Sequence, residues 1–141
     1  MPMEVRVCEE IAAPAAKVWA LMRAFGDVAQ WMEGLESCEL AGSGVGAVRT
    51  ITMPGGLRIQ ERLEAFDDAG RRLSYAIIGN SPLPMRDYLS TVQIREMGPS
   101  RCELAWEGRF DPRPGSEAAV QQMVRGIYTN GIASLRKKLG A

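Results

Sequence analysis

The stretch that decides the fold is residues 3–31, MEVRVCEEIAAPAAKVWALMRAFGDVAQW. Its first part, residues 3–11, alternates apolar and charged side chains, which predicts a half-buried strand. Pro14 then opens a helix whose apolar residues recur at three- and four-residue spacing. Gly26 is expected to end that helix, and residues 28–33 are expected to form a second short one. The chain therefore begins with a strand followed by two short helices.

Six further runs have the two-residue period of strands and are separated by Gly, Pro, Asp and Asn turn signals. They cover residues 35–40, 47–53, 57–66, 71–79, 85–94 and 101–110. Short connectors of this kind favour antiparallel hairpins. After Pro112-Arg113-Pro114-Gly115, Ser116 is expected to cap a long final helix with one apolar stripe.

This succession predicts an α+β fold in which a curved, seven-stranded antiparallel sheet wraps around the long C-terminal helix. One face of such a sheet is apolar, and the final helix is the element that can cover it. Curvature leaves a gap between sheet and helix, closed by the short helices and loops. A small apolar ligand would lie in that gap.

Composition excludes several classes of function. The chain has 141 residues, 46% of them hydrophobic, and is expected to form a single domain, 1–141. Its 17 basic and 17 acidic residues leave no net charge, which argues against nucleic acid as a partner. No run approaches the length of a membrane span, so a cytoplasmic protein is expected.

The absence of histidine removes the commonest general base and the commonest metal ligand. The three cysteines, Cys8, Cys38 and Cys102, lie far apart in the chain and form no Cys-x-x-Cys pair. No metal and no cofactor are therefore expected. Any chemistry would depend on carboxylates, Tyr, Ser, Lys or Arg.

Three segments resemble a known superfamily along essentially the whole chain. Residues 11–19, IAAPAAKVW, and residues 25–31, FGDVAQW, resemble the start of the bacterial polyketide cyclase/dehydrase branch of the START-like, or SRPBCC, superfamily. Residues 106–110, WEGRF, resemble the last strand of that branch. The resemblance implies the helix-grip fold. The superfamily includes lipid carriers, cyclases and hormone receptors, so the fold alone does not determine the function.

The central strands also resemble plant abscisic acid receptors. The matching stretches are residues 61–64, ERLE, residues 74–79, SYAIIG, and residues 88–92, YLSTV. The resemblance implies that Glu61, Tyr88 and Ser90 contact a ligand directly or through water. The receptor lysine that anchors the hormone carboxylate matches Glu36, which argues against a ligand of that carboxylate type.

Glu61 is the most informative residue when the sequence is read without the family. Alternation in residues 57–66 places it in a row with Leu57, Ile59, Leu63 and Ala65. Two interpretations stay open. Glu61 is either a paired structural charge or strand-end residue, or a desolvated carboxylate that holds a ligand hydroxyl, orients water or exchanges a proton. If Glu36 also faces inward, the two acids repel each other.

Other candidate ligand contacts lie on the neighbouring strands and on the final helix. Trp106 shares a phase with Leu104 and Phe110, whereas the receptor resemblance places Glu107 inward, and both alternatives stay open. Trp19 and Trp31 are interpreted as packing residues. The full set of candidate ligand contacts is Glu36, Met53, Glu61, Tyr75, Ile77, Tyr88, Ser90, Trp106, Met123, Ile127 and Asn130.

Three functions remain. The first is the binding or transport of a small hydrophobic molecule such as a polyketide, isoprenoid or lipid-like compound. The second is a cofactor-independent cyclase or dehydratase in which Glu61 is the acid or base and Tyr88 and Ser90 polarise a carbonyl. The third is an interaction module. The oligomeric state stays open, with a homodimer as one alternative.

Overall fold

All seven strands belong to one antiparallel sheet in the computed structural model, which describes residues 2–141. Its spatial order is β1-β7-β6-β5-β4-β3-β2. The bounds are β1 Met3–Ile11, β2 Ser37–Ala41, β3 Val48–Thr52, β4 Arg58–Asp67, β5 Arg72–Ile78, β6 Met85–Glu96 and β7 Cys102–Pro112. Strands β2 to β7 are joined as successive hairpins, and β1 pairs with β7 from Met3↔Phe110 to Ile11↔Cys102. The α+β fold and the seven-stranded sheet are confirmed.

Helix α1, Ala15–Arg23, and a 3-10 helix, Phe25–Gln30, follow β1 as expected, and helix α2, Glu117–Leu139, ends the fold. The second short helix begins three residues earlier than predicted and is not α-helical. Gly26 lies inside it rather than between two helices. A Cβ at Gly26 would come within 2.8 Å of the Leu40 Cβ, so this glycine allows the 3-10 helix to approach β2 closely.

Helix α2 crosses the concave face of the sheet. Its buried residues are Val120, Val124, Tyr128, Gly131, Ile132, Ser134 and Leu135. Ser116 occupies the N-cap position of this helix, as expected, but its side chain makes no cap bond, because its hydroxyl donates to the Arg113 carbonyl at 2.6 Å. Gly140 ends the helix in the left-handed conformation, at φ 69°. Neither helix within residues 2–141 is long and apolar enough to cross a membrane.

Strand β4 departs from regular alternation after Leu63. The pairing with β5 shifts register between Leu63 and Ala65, which marks a β-bulge. As a result Ala65 is exposed rather than inward-facing, and Phe66 packs against Trp19 with ring centroids 5.6 Å apart. Leu57, at the other end of the predicted row, is also exposed because it precedes the strand.

Candidate functional site

A cavity of about 390 Å³ lies between the concave face of the sheet, α2 and the segment that follows α1. Its volume falls within the roughly 300–1,000 Å³ typical of small-molecule sites. Most of its wall is aliphatic, aromatic or methionine. Five methionines contribute, and together we call them the methionine wall: Met22, Met32, Met53, Met85 and Met123. Such unbranched, polarizable side chains adapt to ligands of different shape.

The structure brings nine of the predicted contact residues together around this cavity. Met53 directly follows β3, and the other eight come from β4, β5, β6, β7 and α2, where strand alternation and the α2 stripe direct them inward. These nine are Met53, Glu61, Tyr75, Ile77, Tyr88, Trp106, Met123, Ile127 and Asn130. Trp106 faces inward and Glu107 is exposed, so strand phase gives the correct alternative for this pair.

Two predicted residues lie outside the lining. Glu36 is exposed and precedes β2, where its backbone N–H donates to the Thr52 carbonyl at 2.9 Å. It therefore does not share the cavity with Glu61. Ser90 is fully buried behind the cavity wall, and its hydroxyl donates to the Glu107 carbonyl at 3.0 Å. Its oxygen also accepts from Trp106 Nε1 and from the Tyr128 hydroxyl, so its hydrogen bonds are made within the protein.

Glu61 forms a buried ion pair with Arg49, directly opposite it on β3. One carboxylate oxygen, Oε1, accepts from Arg49 Nε at 2.8 Å and lies 2.7 Å from Arg49 Nη2. The Arg49 and Glu61 side chains are only 9% and 11% exposed. The carboxylate in the apolar row is thus neutralised by a guanidinium in the same wall.

Arg49 is itself held on several sides. Its Nη1 donates to the Phe25 carbonyl at 3.0 Å. Its guanidinium carbon lies 3.9 Å from the Phe25 ring centroid and 4.8 Å from that of Tyr75, which are cation–π distances. The 3-10 helix therefore fixes the arginine, and the arginine fixes Glu61.

Hydroxyl groups form a chain at the base of the cavity. Because the Ser90 proton goes to the Glu107 carbonyl, Ser90 Oγ accepts from the Tyr128 hydroxyl at 3.2 Å. The Tyr128 proton is then used, so the Tyr88 hydroxyl donates to the Tyr128 oxygen at 2.5 Å. Each proton in the chain has an acceptor within the protein, and the chain ends on a backbone carbonyl.

The Trp106 indole joins this chain from the side. Its Nε1 donates to Ser90 Oγ at 3.1 Å and to the Tyr75 hydroxyl at 3.2 Å. The Trp106 ring stacks on Tyr128 at 5.1 Å between centroids. Two glycines make room: a Cβ at Gly131 would collide with the Trp106 ring, and one at Gly108 with the Tyr128 hydroxyl.

Burial keeps the three phenols neutral. Desolvation raises the pKa of Tyr75, Tyr88 and Tyr128, Glu61 raises the pKa of all three further, and neighbouring phenols raise those of Tyr88 and Tyr128. A phenol with a raised pKa donates hydrogen bonds but does not act as a base near neutral pH. All three phenols therefore keep their protons near neutral pH.

The segment between the 3-10 helix and β2 closes one side of the cavity and is attached to α2. The Glu33 backbone N–H donates to Ser134 Oγ at 3.1 Å, and its carbonyl accepts from Asn130 Nδ2 at 3.0 Å. The Glu33 carboxylate pairs with Lys137 at 2.7 Å. Asn130 thus closes the rim with its side chain as well as lining the cavity.

Trp31 belongs to the cavity wall and is not simply a packing residue. It is 6% exposed, and its Nε1 is the one buried side-chain polar atom in residues 2–141 without a hydrogen-bond partner. No lysine within that range lines the cavity, and no cluster of Cys, Asp and Glu there could hold a metal ion. The polar side chains of the lining are Trp31, Glu33, Arg49, Glu61, Tyr75, Tyr88, Trp106 and Asn130.

Sequence reasoning missed the parts of this site that depend on pairing across elements. Arg49 shares a strand phase with Ile51, and a hairpin centred on Gly55 would have placed it opposite Glu61. Tyr128 lies on the buried face of α2. No local signal distinguishes it from an ordinary core aromatic, because its partners lie on β6 and β7.

Comparison with known proteins gives relatives of two kinds: a receptor that is similar in sequence, and solved structures that are similar in fold. The abscisic acid receptor PYL2 of Arabidopsis thaliana is 35% identical over 95 residues, which cover 64% of this chain and 50% of the receptor. The matched region thus spans about half the length of that receptor.

Solved structures match the chain over nearly its full length. An uncharacterized protein from Bacillus thuringiensis is 31% identical with a TM-score of 0.89, covering 99% of this chain and 100% of that one. XoxI from Bacillus cereus is 32% identical with a TM-score of 0.87, covering 96% and 94% of the two chains.

Norcoclaurine synthase from Thalictrum flavum, solved with dopamine and hydroxybenzaldehyde, shares the fold. Its TM-score is 0.80 at 19% identity, over 99% of this chain and 87% of the synthase. The family model described as polyketide cyclase / dehydrase and lipid transport matches residues 2–140. By this match, and by the helix-grip architecture that carries the cavity, the chain belongs to the polyketide cyclase/dehydrase and lipid transport family.

Proposed function

We propose that the protein binds a small, mostly apolar molecule, such as a polyketide, isoprenoid or lipid-like compound, in the cavity between the sheet and α2, and does so without catalysing a reaction. The observation that carries the proposal is the about 390 Å³ cavity, whose wall is largely apolar. A void of this size within a folded core leaves its lining without packing partners, which a ligand supplies.

The pairing of the charged and hydroxyl groups supports binding over catalysis. In the cyclase or dehydratase alternative, Glu61 must exchange a proton with the substrate, but its Oε1 is held by Arg49 in two contacts. The hydroxyl chain from Tyr88 ends on the Glu107 carbonyl, which cannot pass a proton on. The names of the relatives agree with a ligand-binding fold, since one is a hormone receptor and another a synthase solved with small aromatic molecules.

The test combines retained ligand with induced stability. Native mass spectrometry of the purified protein should show a bound apolar molecule, and a library of hydrophobic compounds should raise the melting temperature. At 100 times the dissociation constant a ligand stabilises by about 2.7 kcal/mol. If no ligand is retained and no compound shifts the melting temperature, the proposal is wrong.

Two variants show whether binding occurs in the cavity. Ile127→Trp and Met53→Trp place a large ring in the void and should abolish the shift. Leu89→Trp is the matched control, because Leu89 is 42% exposed and lies outside the lining. An unchanged shift in both folded cavity variants would place binding elsewhere.

A further inference from the structure

The cavity wall holds one buried hydrogen-bond donor without a partner, the Trp31 indole, and one phenol, Tyr75, that shares its acceptor with two other donors. We propose that the ligand is an uncharged, mostly apolar molecule with a carbonyl-type oxygen, as in a ketone, aldehyde or ester, and that this oxygen accepts from the Trp31 indole N–H or the Tyr75 hydroxyl. The inference rests on the proposed function, since it specifies what binds in the same cavity.

Trp31 supplies the first observation. Buried donors in folded proteins are almost always paired, yet Trp31 Nε1 has no partner among residues 2–141. The other two tryptophans have partners: Trp19 Nε1 donates to Asp68 Oδ1 at 2.7 Å, and Trp106 Nε1 donates to Ser90 and Tyr75. Trp31 and Trp106 both belong to the cavity wall, and of these two only Trp31 has an indole N–H without a partner.

Tyr75 supplies the second, independent observation. Its oxygen accepts from Trp106 Nε1, and the acceptor beside its own proton is Ser90 Oγ, which already accepts from Trp106 and Tyr128. Tyr88 and Tyr128, by contrast, both donate within the hydroxyl chain. An unpaired indole donor, and a phenol whose acceptor already serves two other donors, call for a ligand that accepts.

The charges in the cavity wall favour an uncharged ligand. Arg49 and Glu61 neutralise each other, and no lysine within residues 2–141 lines the cavity. A carboxylate ligand would have to compete with Glu61 for the guanidinium and would lose its hydration without gaining a free cation. An uncharged oxygen acceptor avoids that cost and satisfies the indole or the phenol.

Three naphthalenes of similar size separate these alternatives: 2-acetylnaphthalene, 2-ethylnaphthalene and 2-naphthoate. Isothermal titration calorimetry should show the ketone binding about 5- to 10-fold more tightly than the hydrocarbon, the amount one net hydrogen bond supplies. The carboxylate should bind more weakly than both. Equal affinity for ketone and hydrocarbon, or a preference for the carboxylate, would overturn the proposal while leaving the proposed function intact.

Trp31→Phe and Tyr75→Phe identify the donors. At least one should remove the preference for the ketone, measured as the ratio of the affinities for 2-acetylnaphthalene and 2-ethylnaphthalene in the same variant. Trp19→Phe is the matched control, because Trp19 lies outside the lining, and it should keep the preference. If both cavity variants keep it as well, neither donor meets the ligand and the assignment is wrong.

Nuclear magnetic resonance gives a readout that a purely structural role would not move. The chain has three tryptophans, so its indole N–H region is simple, and Trp31→Phe assigns one resonance. If Trp31 donates to the ligand, the ketone should shift the Trp31 indole resonance. If Tyr75 donates instead, that resonance should stay in place and Tyr75→Phe should lose the preference for the ketone. If none of the three naphthalenes binds, and the hydrophobic library fails too, the proposed function fails and this inference fails with it.

Discussion

Replacing Arg49 by Met tests whether the ion pair in the cavity wall is a structural unit. Met keeps an unbranched stem against Phe25 and Tyr75 but removes both contacts to Glu61 and the donation to the Phe25 carbonyl. The carboxylate then remains buried without a cation. Because the pair is about nine-tenths buried, the cost belongs to the buried class, about 3–5 kcal/mol, and not to the 0–1 kcal/mol of surface pairs.

Two companion variants separate the pair from its parts. Glu61→Gln keeps an acceptor for Arg49 but loses its charge, and should cost about 1–2 kcal/mol. The double variant Arg49→Met/Glu61→Leu removes both charges from the apolar wall, and should fall within about 1 kcal/mol of the unmodified protein. It should therefore be more stable than Arg49→Met alone.

Urea denaturation followed by circular dichroism measures all four proteins at one pH. The comparison that tests the ion pair is between Arg49→Met and the double variant. Adding Glu61→Leu should restore stability that Arg49→Met removed. If the double variant is as unstable as Arg49→Met, or if Arg49→Met costs less than about 1 kcal/mol, the carboxylate is not dependent on its partner and the argument fails.

Two further predictions concern packing and pH. Gly131→Ala places a methyl group against Trp106 and should destabilise by about 1–3 kcal/mol in thermal denaturation, whereas Gly126→Ala, in open space on the same helix, should stabilise by about 0.5–1 kcal/mol. Equal effects of the two would contradict the close contact. The Trp19 indole donates to Asp68 and lowers the pKa of that exposed carboxyl below its ordinary 3.8, so the stabilisation is complete above that pH and is lost as the pH falls through the lowered pKa. Asp68→Asn should therefore lose less stability on acidification in a pH series than the unmodified protein, and an identical profile would show that Asp68 makes no such contribution.

The strands could be predicted because their signal is local. A period of two within six to ten residues marks a strand and its inward face, and the antiparallel order followed from short connectors. Ala65 was placed on the wrong face because the bulge after Leu63 depends on pairing with β5. Gly26 was read as a helix end because the signal for its actual role lies in Leu40, on another element.

The same limit applies to the site: features that depend on one strand could be predicted, and features that depend on pairing between elements could not. Strand alternation found Glu61, Tyr75 and Tyr88, since facing inward is a property of the strand itself. The partner of Glu61 required the register of a hairpin, and the partners of Tyr88 required the position of α2 over the sheet. The unpaired donor of Trp31 required knowledge of every acceptor around it, which a sequence does not contain.

The methionine wall has an evolutionary consequence. Volume-conserving exchanges among flexible apolar side chains, such as Met for Leu, cost less than about 1.5 kcal/mol, whereas changes in the stacked base of Trp106 and Tyr128 disturb a hydrogen-bonded core. Relatives can therefore diverge in ligand preference one methionine at a time while the base of the cavity stays the same. Substitutions in the methionine wall can thus change which ligand fits, while Trp106 and Tyr128 at the base of the same cavity stabilise the fold.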